Sequence, residues 1–251
     1  MKIVVIGAGA AGLLAAGKAA ETADEVVIIE KNDIIGKKLL ITGKGRCNIT
    51  NSADIEDMIG QYPRNAKFLY SALYTFTNDD IIRIIEENGV KTKVERGGRV
   101  FPVSDKSQDV VKALKKYALK PNVSLVHDTV KSLIISDGAV KGVKTSKTSI
   151  TADRVIICTG GKSYPRTGST GDGYKFAKQA GHAIIEPKAS LIPVLTEEKF
   201  VKDIMGLSLR NIKITAFNQK NKKVYSDFGE MLFTHFGISG PVVLSMSAYL
   251  K

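Results

Sequence analysis

A glycine-rich hexapeptide near the amino terminus constrains the fold of this chain more than any other part of its sequence. The hexapeptide, GAGAAG, occupies residues 7–12. An apolar, β-branched run, residues 2–6, precedes it, and an Ala/Leu-rich run to about Thr22 follows it. These patterns predict a strand, a tight turn and a helix in that order.

The residues of this turn have separate predicted roles. Gly7 permits the sharp bend, Gly9 lets the backbone approach a pyrophosphate, and Gly12 lets the helix pack closely on the strand. Ala10 and Ala11 stand at the predicted helix start, where free N–H groups attract an anion. A glycine turn that binds nothing is the alternative, and the flanking strand and helix disfavour it.

An acidic residue, Glu30, ends the next apolar run, residues 26–29. A carboxylate at the end of a second strand accepts hydrogen bonds from a ribose diol and disfavours a 2′-phosphate. The turn and the glutamate together predict binding of the ADP half of FAD or NAD. They leave the choice between these two cofactors open.

The segment after Glu30, residues 31–51, has neither helical nor strand periodicity for most of its length. Gly43 and Gly45 allow the backbone to wrap closely around a flat or anionic ligand. A mobile basic loop is the alternative, but ordinary connections are only a few residues long, and this position favours a functional loop. The cations that can balance phosphate charge are Lys37, Lys38 and Arg46.

Composition narrows the class of protein. A chain of 251 residues that is 43% hydrophobic can bury a substantial core. No apolar run reaches the roughly 20 residues that span a bilayer, and the first strand begins at the amino terminus, where it leaves no room for a signal peptide. We therefore expect no membrane partner and a cytoplasmic location. Two distant cysteines predict neither a zinc site nor a disulfide framework.

The net charge of +12 raises the question of a nucleic-acid partner. The lysines are dispersed, however, and no RNA- or DNA-binding motif is evident. A solvated, lysine-rich surface is therefore the favoured interpretation, and nucleic acid the less favoured one.

Longer motifs resemble a known family. GKKLLITGKGRCNITN, which follows the GAGAAG turn, resembles the signature of bacterial BaiN/YhiN-type flavoproteins, NAD(P)/FAD-dependent or aminoacetone oxidase-like enzymes that bind FAD. The resemblance covers essentially the whole chain. It continues through GGRVFPVSDKS (97–107), TGGKSYPRTGSTGDGYKFAKQAGH (159–182), SLIPVL (190–195) and FTHFGISGPVVL (233–244).

The resemblance implies an α/β flavoprotein of the glutathione reductase-like, two-dinucleotide-fold type that holds FAD without a covalent bond. Residues 1–188 are then a Rossmann-like FAD-binding domain interrupted by a β-meander, and residues 189–251 are the start of a β-rich inserted domain. The family pattern includes a later return to the flavin, so the chain resembles a member that is truncated at its carboxyl end.

The resemblance also extends the set of predicted cofactor-binding residues. It places Val130 in main-chain contact with the adenine, and it makes the segment from Thr159 through Gly160 to Gly161 the second glycine turn of the FAD fold. The remaining residues implied to bind the cofactor lie in the segment after Glu30, and they are Lys31, Thr42, Cys47 and Asn48.

The implied function is that of an FAD-dependent oxidoreductase, which transfers a hydride between the flavin and a small organic substrate or NAD(P)H. No second GxGxxG motif is present, so NAD(P)H either docks transiently or is not the reductant. A non-catalytic FAD-binding fragment and an RNA-associated flavoprotein remain alternatives. No catalytic residue is identified, and the oligomeric state is left open.

Three local features have two interpretations each. Cys47 and His235 are residue types suited to redox or proton chemistry, but packing or a backbone contact is favoured for Cys47, and a packed or solvent-facing position for His235. The TGDG turn, residues 170–173, either lies near the flavin or simply begins a helix. Ser104 is predicted to cap a helix that runs to about Leu119.

Overall fold

Residues 1–250, which the computed structural model describes, contain fourteen strands, seven α-helices and four short 3-10 helices. The strands are β1 (Lys2–Ile6), β2 (Glu25–Glu30), β3 (Thr50–Asn51), β4 (Thr92–Glu95), β5 (Arg99–Pro102), β6 (Val123–His127), β7 (Val130–Ser136), β8 (Ala139–Thr145), β9 (Ser149–Thr151), β10 (Arg154–Ile157), β11 (Val194–Leu195), β12 (Ser208–Phe217), β13 (Lys223–Thr234) and β14 (Gly237–Ser239). The helices are α1 (Ala10–Ala19), α2 (Ile55–Gly60), α3 (Tyr70–Thr75), α4 (Asn78–Glu87), α5 (Ser107–Ala118), α6 (Asp172–Gln179) and α7 (Pro241–Ser247).

The contacts divide this chain into two units. The first contains Met1–Gly60 and Lys67–Ile184, and the second contains Gln61–Ala66 and the chain from Ile185 onward. Each unit has a hydrophobic core of its own. None of the helices in the described residues is both long enough and apolar enough to cross a bilayer.

A parallel sheet with the strand order β10-β1-β2-β6 forms the centre of the first unit. Its two middle strands, KIVVI and EVVIIE, are buried over almost their whole length because both faces of the sheet are covered. On one face pack α1 and α5, which approach so closely that a Cβ on Gly17 would lie 2.2 Å from Cε1 of Tyr117.

The other face of the parallel sheet packs against the antiparallel meander β7-β8-β9 and helix α6. Val130, Leu133 and Val143 of the meander join Phe176 of α6 in this second core cluster. The first unit is therefore built as three layers, and the parallel sheet is the middle one. The β-meander that the family resemblance implied is therefore present, and it consists of β7, β8 and β9, whereas β6 belongs to the parallel sheet.

A smaller antiparallel sheet, β3-β5-β4, and helix α4 follow the loop after β2. Thr77 caps α4 through a capping box with Asp80. The predicted cap at Ser104 is wrong, because α5 begins at Ser107 after Lys106. Asp105 adopts a left-handed conformation, with a φ of 55°, and this turn delays the start of the helix.

The second unit contains an antiparallel sheet with the order β11-β14-β13-β12. Helix α7 packs against one face of this sheet, and Gly229 permits the approach, because a Cβ there would lie 2.6 Å from Cγ1 of Val242. The buried residues of this core are Met231, Val242, Val243 and Met246.

Candidate nucleotide-binding site

A cavity of about 360 Å³ opens at the carboxyl ends of β1, β2 and β10 in the first unit. This end of a parallel sheet is where dinucleotide-binding folds place their ligands. The residues that line the cavity are Ile6, Gly7, Gly9, Ala10, Ala11, Ile29, Glu30, Lys31, Asn32, Gly36, Lys37, Lys38, Leu39, Thr42, Asp128, Thr129, Val130, Cys158, Thr159, Gly160, Thr167, Gly168, Ser169, Asp172 and Phe176.

The glycine turn packs as the sequence predicts. Gly7 has a φ of 102°, and a Cβ there would lie 2.6 Å from the carbonyl oxygen of Cys158. A Cβ on Gly12 would lie 1.8 Å from the carbonyl oxygen of Gly7, so a side chain at either position collides with backbone. Gly9 differs, because nothing lies within 4 Å of its Cβ position and the residue lines the cavity. Gly7 and Gly12 therefore shape the turn, and Gly9 leaves its inner surface open.

The side chain of Glu30 is buried at the end of β2 and held by three hydrogen bonds. Its Oε2 accepts from the N–H of Ala8 at 2.7 Å, and its Oε1 accepts from the N–H of Asn32 at 2.8 Å and from Nδ2 of Asn32 at 2.6 Å. A carboxylate offers about four acceptor positions. Glu30 is thus fixed in orientation and retains roughly one position for a ligand, so a diol that uses both oxygens must displace Asn32.

Two lysines of the cavity bind the protein itself. Nζ of Lys31 donates to Oδ2 of Asp172 at 2.6 Å and to Oγ1 of Thr170 at 2.7 Å. Nζ of Lys38 donates to the carbonyl oxygen of Ser163 at 2.8 Å, and burial lowers the pKa of Lys38. Burial raises the pKa of Asp172, but the hydrogen bonds from Lys31 and Thr170 and the nearby positive charges outweigh burial, and the pKa is lowered overall.

A second buried carboxylate, Asp128, lies beside Val130 in the cavity wall. Its oxygens accept from the N–H of Thr129 at 2.6 Å and from the N–H of Lys147 at 3.2 Å. A hydrogen bond from Thr145 and these two backbone bonds lower the pKa of Asp128 against the opposing effect of burial. Asp128 therefore fixes the start of the meander at the edge of the cavity.

The structure brings most of the predicted cofactor-binding residues to this cavity. Those that line it are Gly7, Gly9, Ala10, Ala11, Glu30, Lys31, Lys37, Lys38, Thr42, Val130, Thr159 and Gly160. Those that do not line it are Gly12, Gly43, Gly45, Arg46, Cys47, Asn48 and Gly161. That any of these residues binds a cofactor remains a prediction.

Two residues outside the lining have other partners. The guanidinium of Arg46 lies 4.0 Å from the ring centroid of Phe101 and donates to Glu95 at 2.8 Å and to Asp105 at 3.3 Å. Cys47 is only 1% exposed, and burial raises the pKa of its thiol, which disfavours the reactive thiolate. The geometry gives Cys47 a packing role, in line with the favoured interpretation of its sequence position.

Several lining residues were missed by sequence reasoning. Asn32 and Asp128 adjoin predicted site residues, but their side chains carry no spacing signal of their own. Gly168 and Ser169 precede α6, and Asp172 is its first residue. These three residues line the cavity, so this helix start forms part of its wall.

The residues present fit a nucleotide diphosphate. The first turn of α1 has no side-chain cap at Gly9, so its backbone N–H groups are available to an anion, and Lys37 adds positive charge in the cavity wall. Glu30 supplies a buried acceptor for a ribose hydroxyl. The open Cβ position of Gly9 leaves room for the close approach that a pyrophosphate requires.

Comparison with known proteins agrees with this geometry. Residues 1–241 match the model of a family described as the HI0933-like protein Rossmann domain. A relative from Haemophilus influenzae, a ribosomal RNA dihydrouridine synthase, is 36% identical over 98% of this chain and 61% of its own length. A 3-dehydro-bile acid delta(4,6)-reductase from Clostridium scindens is 32% identical over 99% of this chain and 60% of its own.

The chain thus spans about 60% of the length of the curated relatives it matches. Among solved structures, Mycobacterium smegmatis Sdh1 in complex with UQ1 aligns over 71% of this chain and 38% of its own, with a TM-score of 0.55 and 22% identity. That likeness concerns the fold. The predicted α/β class with a Rossmann-like FAD-binding domain is confirmed, and the family supports FAD as the cofactor.

Proposed function

The chain belongs to the HI0933-like protein family, whose Rossmann domain it contains. We propose that it binds FAD and acts as a flavin-dependent oxidoreductase. The observation that carries this proposal is the cavity in which an uncapped helix start, a glycine with an open Cβ position and a buried glutamate converge. FAD supplies hydride chemistry when it is bound, and the chain supplies orientation and charge.

The proposal assigns a role to each part of the cavity. The N–H groups at the start of α1 and the ammonium of Lys37 hold the pyrophosphate, and Glu30 orients the adenosine ribose. The main chain at Val130 contacts the adenine, and Thr159 and Gly160 form the wall beneath the dinucleotide. We assign residues 1–188 to this FAD-binding domain and residues 189–251 to a β-rich domain.

The names of the relatives suggest a substrate class. Dihydrouridine is uridine whose 5,6 double bond, conjugated to the C4 carbonyl, has been reduced. A reductase of a 3-dehydro-delta(4,6) compound acts on double bonds conjugated to a 3-keto group. We therefore assign the substrate to compounds in which a carbon–carbon double bond is conjugated to a carbonyl group. A small organic molecule of this class, with NAD(P)H as the reductant and a cytoplasmic location, is our first candidate.

A second candidate is a uracil base within RNA. Two of the relatives are named ribosomal RNA dihydrouridine synthases, and the net charge of +12 favours a polyanionic partner. This candidate requires the same reduction of a conjugated double bond. It differs only in that the double bond belongs to a base of RNA and not to a small molecule.

Ligand selectivity tests the cofactor proposal. We expect FAD and ADP to raise the melting temperature of the chain. FMN should leave it unchanged, because FMN lacks the adenosine whose ribose is proposed to bind Glu30. Glu30→Gln should weaken FAD binding by about tenfold or more, since an amide cannot satisfy the three donors around Glu30 and a ribose together. An equal shift by FMN, or no shift by FAD, would contradict the proposal.

Substrate screening separates the two candidates. The chain loaded with FAD is mixed anaerobically with NADPH and then with a conjugated enone, free uridine or transcribed ribosomal RNA. Reoxidation by the enone alone supports the small-molecule candidate, and reoxidation by the RNA alone supports the second candidate. If NADPH reduces the bound FAD and none of these compounds reoxidises it, the assigned substrate class is wrong.

A further inference from the structure

We propose that the ion pair between Lys31 and Asp172 is a latch that holds one wall of the nucleotide cavity closed, so that both are positioning residues for bound FAD. The wall is the segment of residues 163–172, here called the cavity loop. This inference rests on the proposed function only in its last step, the effect on FAD. The latch itself is a property of the chain.

The cavity loop is tied to the segment after β2 by side chains from far away in the sequence. Lys31 reaches Asp172 and Thr170, and these two residues are themselves joined by a hydrogen bond of 2.9 Å from Oγ1 of Thr170 to Oδ2 of Asp172. Nδ2 of Asn32 donates to the carbonyl oxygen of Thr167 at 3.3 Å. Lys38 donates to the carbonyl oxygen of Ser163.

These ties act on residues that form the cavity itself. Thr167, Gly168, Ser169 and Asp172 all line it. The fit is close at the centre of the loop, where a Cβ on Gly168 would lie 2.5 Å from Nδ2 of Asn32. Release of the ties would therefore move the lining residues of this wall and widen the cavity.

The ion pair is the strongest of the ties. The side chains of Lys31 and Asp172 are 27% and 25% exposed, so solvent screens their attraction less than it screens that of a surface pair. Asp172 also stands in the first turn of α6, where a negative charge is stabilised by the helix dipole. The ties from Asn32 and Lys38 run to two backbone oxygens and to the hydroxyl of Ser163, and only one of these three bonds is shorter than 3.0 Å.

The position of the pair explains why it matters for the cofactor. Lys31 directly follows Glu30, the residue proposed to orient the ribose. The latch therefore joins the ribose end of the cavity to the start of α6. Because the cavity loop is already ordered before the ligand binds, binding loses less conformational entropy.

The structure supplies a matched control. Nζ of Lys175 lies 3.9 Å from Oδ1 of the same Asp172, but Lys175 is on α6 itself and its side chain is 79% exposed. Removal of Lys175 takes a positive charge from Asp172 without cutting the tie between the two segments. Lys175→Met should therefore leave the cavity loop in place.

The test compares Lys31→Met, Asp172→Asn, the double variant and Lys175→Met. The first measurement is the rate at which trypsin cuts after Arg166, an exposed residue of the cavity loop, in the chain without ligand. The second is the dissociation constant for FAD, from titration of flavin fluorescence. The melting temperature of each ligand-free variant is recorded beside them.

We expect Lys31→Met and Asp172→Asn each to speed cleavage after Arg166 and to weaken FAD binding by about fivefold. The double variant should be no worse than either single variant, because the two residues act as one pair. Lys175→Met should stay within about twofold of the parent in both measurements. Saturating FAD should restore protection of Arg166 in every variant.

Unchanged cleavage after Arg166 in Lys31→Met and Asp172→Asn would overturn the latch. So would a double variant in which the effects of the two single substitutions on cleavage add together. Cleavage rates that change only in proportion to the melting temperatures of the variants would overturn it as well. If the parent chain itself does not bind FAD, the proposed function fails, but the cleavage rates still decide whether the latch exists. If the loop opens in the variants and FAD binding stays within twofold, the positioning role is wrong.

Discussion

The two four-stranded sheets of this chain contain similar apolar residues and bury them very differently. In the first unit, β1 and β2 bury nearly every residue because helices cover one face and the meander and α6 cover the other. In the second unit, Met231 is the only buried residue of β13, and the core lies where helix α7 packs against one face of the sheet. Phe228 and Leu195, on the face away from that core, are 62% and 76% exposed.

The difference matters for ligand binding. A sheet held from both sides fixes the ends of its strands, and every residue that lines the nucleotide cavity belongs to the first unit. In the second unit, helix α7 supports one face of the sheet, and the buried core is small. Rigid geometry for a cofactor therefore comes from the three-layer part of the chain.

The strongest test of this comparison is Gly12→Ala. The new Cβ would lie 1.8 Å from the carbonyl oxygen of Gly7, so α1 must move away from the sheet, and we expect a loss of about 3 kcal/mol in the free energy of unfolding. Urea denaturation measures this loss. Gly9→Ala is the matched control, since nothing lies within 4 Å of its Cβ position, and it should cost less than about 1 kcal/mol. Equal losses at the two positions would show that the turn is not tightly packed.

Met246→Ala tests the second core. Met246 is 5% exposed, and its truncation should lower the free energy of unfolding by about 2 kcal/mol through lost burial and the cavity that remains. FAD binding should stay within about twofold, because the nucleotide cavity contains no residue of this unit. Leu195→Ala serves as the exposed control and should change stability by less than about 0.5 kcal/mol. A large loss of FAD affinity in Met246→Ala would contradict the assignment of cofactor binding to the first unit.

Alkaline pH should weaken the second unit through Tyr225. Burial, followed by the hydrogen bond that its hydroxyl donates to Asp227 at 2.9 Å, raises the pKa of Tyr225 to about 12. The folded state favours the neutral phenol, so this contribution is fully present below pH 10 and is lost as pH rises from 10 to about 12. After screening by solvent we expect a loss of about 1 kcal/mol.

Thermal melts of the parent and Tyr225→Phe across this range measure that contribution. The variant should show a shallower decline of melting temperature between pH 10 and pH 12, because phenylalanine does not titrate. Identical slopes in the two proteins would mean that Tyr225 does not control the alkaline limit of the second unit.

Local patterns predicted much of the fold. The apolar runs around the glycine turn correctly predicted β1, α1 and β2. The cap at Ser104 failed because a left-handed residue, Asp105, lies between it and the helix, and a serine carries no signal of its neighbour's conformation. Propensity identifies a cap only when the backbone that follows is already helical.

The candidate site divides along the same line. The amino-acid sequence by itself determined the glycine turn, Glu30 and the family motifs, because these depend on contacts between residues that are close along the chain or on steric limits that only glycine meets. Only the tertiary structure decided that Lys31 binds Asp172, that Asn32 holds Glu30, and that Arg46 lies against Phe101. Lys31 and Asp172 are 141 positions apart, and long polar side chains carry no periodicity that predicts such partners.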